Sequence, residues 1–115
     1  MIKLIGVLRR RPGLSVQEFR HEWNRHADLA RGSDACTRYV RRYIQCYALP
    51  EEYEHGEPPF DGVAELWFDS KDDIDAFYSD PEYLEVLGPD LQRFADLSQI
   101  RRIVTRENPV LEMMK

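Results

Sequence analysis

The chain is short of the residues that staple, anchor or charge a protein for a specialised role. Only two of its 115 residues are cysteines, Cys36 and Cys46. Their spacing matches no zinc motif, and two are too few for a disulfide framework, so they read as reduced thiols and point to a cytoplasmic setting. Basic charge is short as well: 16 Lys and Arg against 21 Asp and Glu leave a formal net charge of −5. A phosphate backbone or an anionic lipid surface asks for the opposite balance, so neither nucleic acid nor a membrane is expected as a partner. Long apolar runs are missing. The opening Met1–Leu8 is cut off by Arg9, Arg10 and Arg11 and lacks the small-residue cleavage site of a secretory signal. There is no glycine-rich phosphate loop, no nucleophile elbow, no internal repeat and no low-complexity segment.

What remains is an ordinary globular balance, 43% hydrophobic and 32% charged, in a length that fits one domain over 1–115. Residues 2–9, rich in Ile, Leu and Val, predict a first strand, which Pro12-Gly13 breaks. Ser15 with Glu18 three residues on forms a capping box, and Leu14 and Phe19 stand at staple positions, so a helix runs from Val16 to about Arg31. Its stripe is Phe19, Trp23, His26 and Ala30, one helical face, while Arg20, Glu22, Arg25 and Asp28 read as a solvated side. Residues 38–48 predict a second strand, 49–60 a polar loop and 61–68 a third strand. Asp69-Ser70 caps a helix through Tyr78, and Asp80-Pro81 starts a further helical turn to residue 87. Gly88-Pro89 is expected to interrupt it, with a short helix from Asp90 to Leu97 and a fourth strand over 99–106. The tail from Asn108 is expected as an arm or a frayed end.

The order β-α-β-β-α-β predicts an α+β, ferredoxin-like fold: a four-stranded antiparallel sheet with helices on one face. Period-two alternation sends Val40, Ile44, Leu66 and Phe68 toward the helices. Tyr43, Tyr47, Glu65 and Trp67 are then left on the open face. A monomer rarely exposes that many large aromatics together, so a homodimer, sheet to sheet, is expected.

Three motifs carry a family resemblance: Arg11-Pro12-Gly13-Leu14-Ser15 before the helix, Phe19-x-x-x-Trp23-x-x-His26 on it, and Phe60-Asp61-Gly62-Val63-Ala64-Glu65-Leu66-Trp67-Phe68-Asp69-Ser70 across the third strand. In this order they resemble the EthD family of dimeric α/β-barrel proteins. The resemblance implies a dimeric barrel and a small organic ligand. Relatives of the barrel fold include cofactor-free monooxygenases, polyketide cyclases and muconolactone-type isomerases. In the isomerases, the histidine matching His26 takes part in proton transfer with a cysteine on the third strand; Leu66 stands at that place here. A haem-binding version of the barrel exists in the wider superfamily, and only His26 could be its proximal ligand.

His26 is the sharpest chemical signal, because its stripe aims it under the helix, where an imidazole can move protons near neutral pH or simply be a buried, hydrogen-bonded neutral histidine. Asp61 is the second acid/base candidate, with the cap of a turn as its alternative. Trp23, Leu66 and Phe94 are expected as the apolar wall of a substrate site. Tyr43 and Tyr47 can donate to a carbonyl or enolate, or can pack a dimer. Glu65, beside Trp67, is either paired across the dimer, with Arg41 or Arg42 as its partner and only Arg41 on the side of the tyrosines, or is a general base if unpaired. His21 and His55 form no metal set with His26, so no metal is expected, and no cofactor. These residues lead to an expected cofactor-independent enzyme doing proton-transfer chemistry, by isomerisation, dehydration or cyclisation, on a small aromatic, lactone or polyketide-like molecule. A non-catalytic binding or accessory dimer with the same pocket is the alternative.

Overall fold

The computed structural model describes residues 1–113; the last two residues of the expected arm lie outside the described residues. Its elements are β1 (Ile2–Leu8), α1 (Val16–Arg31), α2 (Asp34–Tyr39), β2 (Val40–Tyr47), β3 (Gly62–Phe68), α3 (Lys71–Ser79), α4 (Gly88–Leu91) and β4 (Arg101–Thr105). The four strands lie in the order β2-β3-β1-β4, every neighbouring pair antiparallel. This is the ferredoxin-like α+β arrangement expected from the sequence.

Local chemistry explains most of the elements. Gly13, at φ 92°, turns the chain out of β1. At the start of α1 the Ser15 hydroxyl accepts from the Glu18 amide at 3.0 Å, and the Ser15 amide donates back to Glu18 Oε1 at 2.8 Å. The stripe then buries Phe19, Trp23, His26 and Ala30 against the sheet. The core forms two apolar clusters. One gathers Leu4, Leu66, Phe68, Ile74, Phe77 and Leu87. The other gathers Leu8, Phe19, Trp23, Phe94 and Ala95. Gly62 is indispensable to the second: a Cβ there would lie 2.8 Å from Trp23 Cη2 and closer still to Cζ3.

Four expectations are corrected. The second strand starts at Val40 and not at residue 38, because Ser33 caps the short helix α2 through the Cys36 amide and carries the chain helically to Tyr39. A bulge follows. Val40 pairs with Phe68 and Arg42 with Trp67, so Arg41 is extra and the alternation inverts beyond it. Tyr43 and Tyr47 therefore face the helices, while Ile44 and Cys46 share the open face with Glu65 and Trp67. The polar face expected of α1 is only partly solvated, since Arg25 folds back to a buried carboxylate. Finally, Gly88-Pro89 does not interrupt the helical path. Tyr83–Leu87 is a π turn in which the Gly88 amide donates to the Tyr83 carbonyl, and α4 follows without a break, ending at Leu91 well short of Leu97. A Cβ at Gly88 would sit 3.1 Å from Tyr83 O, so glycine suits this wide turn.

Candidate functional site

Between the sheet and its helices, where the two apolar clusters meet, lies a cavity of about 70 Å³. Trp23 and His26 from α1, Tyr43 from β2 and Leu66 from β3 line it, with Tyr78, Tyr83 and Arg102 around the remainder. A shallow outer cleft of about 530 Å³ over α1, α2 and β2 shares Ala30, Cys36 and Tyr43 with the cavity. Those three side chains form the wall between inner cavity and outer cleft.

His26 is 8% exposed. Its Nδ1 lies 2.7 Å from Asp90 Oδ2, and Phe94 packs edge-on against the ring with centroids 5.5 Å apart. Asp90 also accepts from Arg25 Nη2 at 2.5 Å and from Arg93 Nη1 at 3.3 Å. Glu22 ties the two arginines together, 3.4 Å from Arg25 and 3.2 Å from Arg93. Burial pushes the Asp90 carboxyl upward, but the hydrogen bonds from Arg25 and His26 outweigh it and hold the group below the usual carboxylate range. An ionised Asp90 can only accept, so Nδ1 carries the proton and the lone pair of a neutral His26 sits on Nε2. Burial in turn holds the imidazolium pKa below its ordinary value, against the opposing pull of Asp90, with Arg25 adding a smaller downward push. Near neutral pH this is a neutral imidazole, oriented by a carboxylate, with its basic nitrogen unclaimed by any hydrogen-bond partner among the described residues. Such an imidazole can accept a proton at Nε2.

No sequence pattern singles out Asp90 as a site residue. It is 64 residues from His26, and after Gly88-Pro89 it reads as the start of a helix. Its one signal is a spacing of four from Phe94, itself expected inward.

The other expected residues fall in three places. Trp23, Tyr43 and Leu66 line the cavity, and Phe94 backs His26. The Tyr43 hydroxyl accepts from Gln45 Nε2 at 3.3 Å, which leaves its own proton available, and burial raises its pKa. Tyr47 lies just outside, edge-on to Trp23 at 5.1 Å. Asp61 sits apart from the cavity lining. It is 1% exposed. Its carboxylate is filled by the Arg10 amide and Nη1, both at 2.7 Å, and by Tyr53 Oη at 2.6 Å. Burial pushes Asp61 up, but these donors hold it below the ordinary range, while burial, helped by the bond to Asp61, pushes Tyr53 up to about 12. Glu65 and Trp67 lie on the opposite sheet face. Glu65 pairs with Lys3 at 3.1 Å, not with Arg41, which reaches Asp69 at 2.9 Å. Trp67 is covered by Lys3 and Arg42, whose charges lie 4.9 and 4.6 Å from its ring, and its Nε1 donates to Glu107. Among the described residues no three His, Cys, Asp or Glu side chains come together to hold a metal, and no helix is long and apolar enough to cross a membrane.

Comparison with known proteins supports this frame. The EthD domain family matches residues 11–98. A dimeric ferredoxin-like protein of unknown function from Bacteroides fragilis superposes with a TM-score of 0.69 at 17% identity, covering 92% of this chain and 95% of its own. An EthD family protein from Bacillus halodurans does so at 0.66 and 22% identity, covering 94% and 99%. SnoaB, a cofactor-independent oxygenase from Streptomyces nogalater, reaches 0.64 at 10% identity, covering 96% and 95%. No curated protein matches the chain.

Proposed function

Since the chain belongs to the EthD family, we propose that it is a cofactor-independent enzyme moving protons on a small organic molecule held under the helices. One observation carries the reading: His26 lines the cavity as a neutral imidazole with Nδ1 fixed by Asp90 at 2.7 Å. In the simplest cycle Nε2 takes a proton from a C–H beside a substrate carbonyl. The bonding pair moves into an enolate, the Tyr43 hydroxyl donates to the enolate oxygen, and the imidazolium returns the proton to another carbon. The net change is isomerisation; dehydration and ring closure begin with the same abstraction. Asp90 orients the ring and steadies the imidazolium, and Trp23, Leu66 and Phe94 keep water out.

Asp61 keeps no part in this chemistry, because its lone pairs are taken by donors that hold the turn after β1. Glu65 and Trp67 belong to a sheet-to-sheet homodimer in our reading. Ile44, Glu65, Ile5 and Ile103 form one row across the open face by strand register, and Ile103 is 62% exposed. A second copy would cover that row, as the fold relative described as dimeric suggests. A porphyrin does not fit a cavity of about 70 Å³, which disfavours haem.

The test is a thermal-shift panel of small lactones, aromatic acids and polyketide mimics on wild type and His26→Ala. A ligand at 100 times its Kd stabilises by about 2.7 kcal/mol, several degrees for a domain of this size. A shift present in wild type and lost in the variant, followed by turnover of that compound, supports the enzyme. A shift without turnover leaves the accessory-binder reading.

A further inference from the structure

The cavity's polar groups are unlike the rest of the chain. The protein carries a net charge of −5, yet no Asp or Glu lines the cavity. Its polar groups are one neutral imidazole, one indole, three phenols, one thiol and one guanidinium, that of Arg102. Burial pushes Tyr43, Tyr78 and Tyr83 above the ordinary phenol range, so all three keep their protons and can donate. Arg102 stands on the edge strand β4, directly across from Gly6 of β1, and turns toward the helices. Its guanidinium lies 5.5 Å from the Tyr78 ring centroid. Arg102 is the one cation in the cavity lining, and among the described residues no carboxylate lies within 4.0 Å of it. Because it is exposed, it stands at the cavity mouth, not in the depths.

Building on the proton-transfer reading above, we infer that the substrate is a small organic carboxylate, whose anionic end pairs with Arg102 at the mouth while its reacting carbon faces His26. A site with several donors and a single unpaired cation selects an acceptor-rich, negatively charged partner. The guanidinium fork, stacked on Tyr78, matches a carboxylate's two oxygens. The apolar residues deeper in take the carbon skeleton. The charged head and the proton-transfer site are thus at different points on the wall, and Arg102 sets which molecules enter without taking part in the proton step.

The probe pair is isobutyrate and isobutyramide, which share a skeleton and differ in charge. Binding is measured by titration calorimetry, or by NMR for weak affinities, with wild type, Arg102→Met and Arg102→Lys. Wild type should prefer the acid by about threefold to fivefold, the worth of one ion pair at an exposed guanidinium. Arg102→Met should bring acid and amide within about twofold by weakening the acid far more than the amide, and Arg102→Lys should restore part of the preference. Equal binding of acid and amide by wild type, no binding of the acid, or full preference in a folded Arg102→Met would overturn the inference. Proton exchange on neutral carbonyl compounds that depends on His26 would still stand in those cases. Loss of that exchange with the acid preference intact would instead overturn the base and keep the anion site.

Discussion

Asp61 and Asp90 are chemically similar and do opposite jobs. Both are buried, both stay ionised against the cost of burial, and both are held by arginine. Around Asp61 every donor belongs to the segments it ties together: Arg10 at the end of β1 and Tyr53 in the loop before β3. Around Asp90 one donor is an imidazole that lines the cavity and whose other nitrogen has no hydrogen-bond partner among the described residues. A buried carboxylate is therefore not a functional signal by itself. It becomes one when a group it holds has bonding capacity left over.

Substitutions should separate the two aspartates. The largest effect is expected at Gly62→Ala, one residue past Asp61, because the added methyl overlaps the Trp23 ring that precedes His26 by one turn. Overpacking of that severity costs about 3 kcal/mol or more, read from urea unfolding. Asp61→Asn comes next, at about 2–3 kcal/mol, since it turns a fully buried acceptor of three donors into a neutral amide, even though Glu57 still holds the Arg10 guanidinium. It should leave the NMR titration of His26 where it was. Asp90→Asn should cost less, about 1–2 kcal/mol, because Arg25 and Arg93 can turn to Glu22. Its signature lies in the imidazole: with the carboxylate gone, the His26 pKa falls further below the ordinary histidine range, and turnover drops although the fold holds. An unmoved His26 titration in Asp90→Asn, or a moved one in Asp61→Asn, would dissolve the contrast.

The smallest effect is in pH. The folded pKa of His26 lies below its unfolded value. On acidification the unfolded chain takes up the proton first, so stability is full above the ordinary histidine pKa and falls as pH drops below it. In His26→Gln that component vanishes. The stability of wild type relative to the variant should therefore decline as the pH falls from about 7.5 to 5. Both aspartates add to acid loss lower down, since their folded pKa values are depressed.

Sequence patterns reached the frame because the frame is local. Ser15 and Glu18 are three residues apart, and the Phe19, Trp23, His26, Ala30 stripe needs only the helical period. The faces of β2 were lost to a single extra residue, Arg41, since a period of two has no memory past a bulge. The His26–Asp90 pair was lost to distance along the chain, and Asp90's position depends on a π turn that a Gly-Pro pair disguises as a break. Apolar periodicity marks Trp23 and Leu66, which line the cavity, and Phe94, which packs behind His26, whereas Tyr78, Tyr83 and Arg102 meet at the cavity only through the tertiary fold.

The central claim is that His26 is a base. Its most direct measurement is hydrogen–deuterium exchange at carbon in a panel of small carbonyl compounds, followed by NMR in D2O across pH with wild type and His26→Gln. The account predicts exchange above the buffer rate in wild type, with an acid limb below the ordinary histidine pKa, and its loss in a folded His26→Gln. Exchange that survives in His26→Gln, or is no faster than buffer in wild type, would contradict it.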